Sequence, residues 1–154
     1  MKKIISILIA ICLFTILPCT AFAQQSIEIN SDKQNYITYL DDGSYYVTTI
    51  TESMARSTKT GTKTTEHYNN SGEMLWKVSV KGTFSYTGTS VTCTSASHTI
   101  TIYNDNWYTY SQNSYASSNK AIADVVMKQK FLGIVTSTKT VNLTLTCDAN
   151  GNLS

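Results

Sequence analysis

Proline occurs once in the 154-residue chain, at position 18, histidine only twice and glycine seven times, and 14% of the residues are charged. Each shortage excludes something. Without proline beyond residue 18, nothing in the rest of the chain need interrupt a backbone hydrogen-bond ladder. His67 and His98 stand alone, with no His-x-His, His-Glu-x-x-His or Cys-x-x-Cys spacing, so no metal site of ordinary ligand pattern is expected and no cofactor is assigned. Glu66-His67 reads as a surface pair on a strand. A serine nucleophile would want a Gly-x-Ser-x-Gly elbow, which is missing, and there is no glycine-rich phosphate loop. The carboxylates are scattered, and Asp41-Asp42 belongs to a turn, where aspartate bonds its own backbone. Only pairing across the fold would bring an acid and a base together for glycoside hydrolysis. No catalytic residue is assigned, and an enzyme is the least favoured class.

The N-terminus carries an address. Lys2 and Lys3 precede an apolar run from Ile4 to Leu17, and Ala21-Phe22-Ala23 has the small-x-small pattern of a signal-peptidase site. Residues 1–23 are therefore expected to be a signal peptide, with a mature chain starting at Gln24. Pro18 stands where a lipoprotein signal built on Cys19 wants a small residue. The expected destination is secreted and extracellular, with no transmembrane segment in the mature chain. Removing the signal takes Lys2 and Lys3 out of a total of twelve basic residues, leaving ten against ten acidic ones. That balance argues against nucleic acid as a partner. Cys12 and Cys19 leave with the signal as well. In an oxidising compartment the remaining Cys93 and Cys147 are expected to form a disulfide, worth on the order of 4 kcal/mol in the chain-entropy model.

What is abundant is Thr, Ser, Tyr and Val, a composition for strands. In Met74–Tyr86, Trp76, Val78, Val80 and Phe84 fall on one parity and Lys77, Ser79, Lys81 and Thr83 on the other, the signature of a half-buried strand. Gly82 lies on the apolar parity, where a missing side chain marks a bulge or a close approach. Val141, Leu143, Leu145 and Cys147 repeat the pattern near the C-terminus. Asp41-Asp42-Gly43, Asn69 to Gly72, Tyr86 to Thr89, Asn104 to Asn106, Ser117 to Lys120 and Gly133 supply turns. Residues 120–131 fit a strand best, although Ile122 and Val126 leave an amphipathic helix open. These elements predict an all-β fold: an antiparallel sandwich of about seven to eight strands, with Trp76, Val78, Val80, Phe84, Trp107, Val141, Leu143 and Leu145 in the core and Cys93–Cys147 joining the sheets. Residues 24–57 read as a lead-in with one hairpin, and residues 58–154 as the sandwich.

The order Cys93, Trp107, Cys147 suits an immunoglobulin-like architecture. Leu145 where a corner tyrosine belongs, and only seven residues after Cys147, argue against that fold's strict topology. The run Gly72-x-x-Leu75-Trp76-x-Val78-x-Val80-x-Gly82-Thr83-Phe84-x-Tyr86-x-Gly88, with Thr92-Cys93-x-Ser95-Ala96 and Thr140-Val141-x-Leu143-x-Leu145-x-Cys147-x-x-x-Gly151, resembles a group of small uncharacterised secreted proteins of Gram-positive bacteria. The resemblance covers about residues 40–154 and implies an extracellular domain of unknown function.

Aromatic crowding gives the one functional hint. If Trp107 points inward, Tyr108 and Tyr110 are expected to emerge on the outer face and contact a ligand, although cross-strand packing explains most tyrosines in sheets. The favoured function is a non-enzymatic binding domain, with cell-wall glycan or a protein as partner. The alternative is a bacteriocin- or toxin-like antagonist of a neighbouring cell.

Overall fold

The computed structural model describes residues 33–55 and 58–154. The expected signal peptide, and the part of the lead-in before residue 33, lie outside the described residues. Eight antiparallel strands form two sheets: β1 (Lys33–Tyr39), β2 (Tyr45–Ala55), β3 (Thr58–Tyr68), β4 (Met74–Tyr86) and β5 (Val91–Ile102) in one, and β6 (Trp107–Ser117), β7 (Lys120–Phe131) and β8 (Ile134–Thr146) in the other. No helix occurs among the described residues, so none there is long and apolar enough to cross a membrane. Residues 120–131 are strand. β2 and β3 pair down to Ala55 opposite Thr58, so the β1–β2 hairpin continues the same sheet as β3–β5.

Every strand pairs with its sequence neighbour except at the β5–β6 step, where the chain passes between sheets. This meander lacks the exchanges of strands between sheets that an immunoglobulin-like Greek key requires. Turn chemistry explains it, because positive φ at Gly43, Gly72, Gly88 and Gly133 lets short loops return each strand beside its predecessor.

The core lies between the sheets. Trp76, Val78, Val80 and Phe84 of β4 are fully buried, together with Ala121, Ala123, Val125 and Met127 of β7 and Leu145 of β8, while Trp107, Val141 and Leu143 are nearly so. At Gly82 the larger sheet comes close to Ala121 of the smaller one. A Cβ built there would sit 2.7 Å from both Ala121 Cβ and Phe84 Cζ. Gly61, its cross-strand partner, is crowded in the same way by Leu153.

The expected disulfide is absent. Cys93 and Cys147 are buried free thiols. The β6–β7 turn accounts for this: Ser118 O accepts from the Cys93 N–H at 2.7 Å, and Asn119 O accepts from the Cys147 N–H at 3.0 Å, so the turn backbone lies between the two strands. Each sulfur instead faces a nearby carbonyl, Cys93 Sγ that of Ser95 and Cys147 Sγ that of Asp148. Burial pushes both thiols up from their ordinary pKa.

Candidate functional site

Five strands face three, and the surplus creates the site. Sheet pairing places Tyr36 and Thr38 of β1, Tyr46 and Thr48 of β2, and Lys63 and Thr65 of β3 on the inner face of the larger sheet. β8 is the last strand of the smaller sheet, and its free edge passes beside these residues. The result is a cleft of about 570 Å³ lined by those six side chains and by Thr140 to Thr144. That volume falls in the ordinary range for small-molecule sites.

The lining is hydroxyl-rich and carries one cation. The hydroxyls of Thr48 and Thr65 are bonded to each other at 3.0 Å on its floor. Tyr36 is 53% exposed and offers a ring face. Burial lowers the Lys63 pKa. The contrast with Lys59, four residues earlier on the same face, is informative: Lys59 is buried and meets Glu52 Oε2 at 2.6 Å, whereas among the described residues no carboxylate lies within salt-bridge distance of Lys63. Lys63 thus bears a partly desolvated charge with no fixed counter-ion, the arrangement an acidic ligand group would relieve.

One end of the cleft is locked by Lys139 of β8, which donates to Asp42 Oδ2 in the β1–β2 turn at 2.8 Å. That contact, and hydrogen bonds from Ser44, hold the Asp42 carboxyl well below the usual carboxylate range. Behind the lock lies an aromatic cluster. His67 packs edge-on against Trp76 and Trp107 at centroid distances of 4.8 and 5.6 Å, and Tyr46 lies 4.9 Å from His67. The expectation of His67 on a strand surface is therefore corrected. It shares the Trp76 parity across the β3–β4 ladder and is 1% exposed. Neither of its ring nitrogens has a hydrogen-bond partner, and burial, with the charge of Lys139 adding to it, lowers its pKa to about 4. Burial raises Tyr46 to about 12, with the charge of Asp42 contributing.

Tyr108 and Tyr110 stand outside the cleft. Trp107 is buried, but the β6–β7 register shifts between Thr109 and Ser111, so Tyr110 is the extra residue of a bulge. Lys128 Nζ lies over the Tyr110 ring at 3.3 Å from its centroid, and Lys130 Nζ over Tyr108 at 4.4 Å. Each ring thus has a lysine ammonium over one of its faces. Sequence reasoning missed Tyr36, Thr48, Lys63 and Thr65. The available signal was polar residues at inward parity on β2 and β3, where a core strand would be apolar.

Among the described residues no group of three or more His, Cys, Asp or Glu is placed to share a metal ion. No family model, curated protein or solved structure matches the chain.

Proposed function

We propose that this is a secreted, non-enzymatic β-sandwich domain that binds cell-wall glycan in the cleft between β1–β3 and β8. The observation that carries the reading is the uncovered inner face itself, where Tyr36, Thr38, Thr48 and Thr65 offer hydroxyls and a ring beside the unpaired Lys63. Polyhydroxylated ligands need many weak hydrogen bonds plus one apolar wall, and an acidic substituent would neutralise Lys63. The signal-like N-terminus and the resemblance to small secreted proteins support an extracellular setting.

The test is retention on insoluble cell-wall glycan. Tyr36→Ala and Lys63→Met should each reduce the retained fraction at least fivefold, with melting temperatures close to wild type because both side chains lie outside the core. Retention unchanged in both variants would refute the cleft as the binding site. Retention displaced by short acidic peptides, but not by glycan fragments, would show a protein-binding module instead.

A further inference from the structure

The turns at 40–44, 69–73, 103–106 and 132–133 all lie at the same end of the antiparallel meander, and one of them is unlike the rest. The β7–β8 hairpin reaches past β6, whose first residue Trp107 pairs with Gln129. Its tip is Phe131-Leu132-Gly133-Ile134-Val135, with Phe131 63%, Leu132 87%, Ile134 70% and Val135 45% exposed. Pairing puts Phe131 with Ile134 and Lys130 with Val135, so apolar side chains project from both faces of the hairpin, leaving no face turned to the core.

The turn residue itself departs from local preference. Leu132 has φ 50° and Gly133 φ 81°, the pair of positive values of a type I′ turn, whose first position favours Asn, Asp or Gly. A leucine there is conformationally unfavourable and places its whole side chain in water. The exposure cost disappears if the tip has somewhere apolar to go, and that gain would offset the backbone strain that remains.

We infer that this hairpin tip inserts into the surface of an anionic lipid bilayer. The charge within the hairpin itself fits that occupant. From Val125 to Cys147 the chain holds Lys128, Lys130 and Lys139 and neither Asp nor Glu. Lys128 and Lys130 sit just behind the tip with Tyr110 and Tyr108 beneath them, an order of apolar tip, then tyrosines and lysines, that matches the order of acyl chains, interface and headgroups. The neighbouring carboxylates are Asp42, already paired with Lys139, and Asp41, Glu73 and Asp105 in the adjoining turns. A convex tip, apolar on both sides, suits a fluid bilayer better than a flat protein surface. The inference stands on the tip alone and does not depend on the cleft.

The experiment is flotation of the mature protein with vesicles of phosphatidylcholine alone or with one-third phosphatidylglycerol, comparing wild type, Leu132→Asn and Lys128→Gln/Lys130→Gln. Leu132→Asn relieves the positive-φ strain, so it should fold with an equal or higher melting temperature while vesicle affinity falls about tenfold. The double lysine variant should lose affinity for the anionic vesicles only. Wild type that fails to float with anionic vesicles, or Leu132→Asn that floats equally well, would overturn the inference. So would a wild-type dimer in sedimentation that Leu132→Asn dissolves, since a second copy would then be what covers the tip.

Discussion

Burying a neutral histidine between two tryptophans ties the stability of the fold to pH. The unfolded chain protonates His67 near 6.5, whereas the folded chain resists protonation down to about 4. Stability from this residue is therefore complete above about pH 6.5 and declines as the pH falls from 6.5 to 4, by roughly 3 kcal/mol in all. Asp42 acts in a separate window: its carboxyl is held low, so its contribution persists above the unfolded value near 3.9 and is lost only below it. His67→Phe should flatten urea-measured stability between pH 6.5 and 4 and leave the decline below pH 4 intact. The cysteines give a second expectation. Thiol titration of residues 24–154 in denaturant without reductant should find two groups per chain, the native protein should react far more slowly, and reductant should leave the melting temperature unchanged. At Gly82, alanine should cost about 2 kcal/mol by overpacking against Ala121 and Phe84, and Ala121→Gly in the same chain should restore part of that.

Strands β4 and β8 were readable because their alternation coincides with burial on one face: Trp76, Val78, Val80 and Phe84 are inward, as are Val141, Leu143 and Leu145. The extent of β3 agrees with the sequence reading, but its facing was not legible, and His67 was expected on the surface, for the opposite reason. Its inward residues are Lys59, Gly61, Lys63, Thr65 and His67, a polar set at the parity that faces the core. A lysine can keep its stem against apolar neighbours while its ammonium reaches Glu52 or the cleft, so hydropathy alone assigns such a strand to the wrong face. The inward direction of Trp107 was legible from sequence; the bulge at Tyr110 was not, because no glycine or proline marks it. With their lysine partners in place, Tyr108→Ser and Tyr110→Ser should each lower stability by less than about 1 kcal/mol and leave glycan retention unchanged, as expected for exposed cation–π pairs.

At the scale of the whole molecule, sequence predicts the number of strands but not their division into five and three, which depends on where the chain leaves one sheet for the other. Asn104 to Asn106 announces a turn with no indication that it is the crossing point. The cleft follows from that division, since the inner face of β1, with Thr48 of β2, borders the free edge of β8 and has no strand of the smaller sheet opposite it. The cysteine spacing misled at the same scale: equal parity and burial were legible, whereas the β6–β7 turn between the two strands was not. The most direct test of the cleft is amide chemical-shift mapping of residues 24–154 during titration with soluble fragments of acidic cell-wall glycan. The account predicts saturable shifts at Tyr36, Thr48, Lys63 and Asn142 to Thr144, with Tyr108 and Tyr110 unmoved. Shifts centred on Tyr108, Tyr110 and Lys128, or none anywhere at saturating fragment, would contradict it.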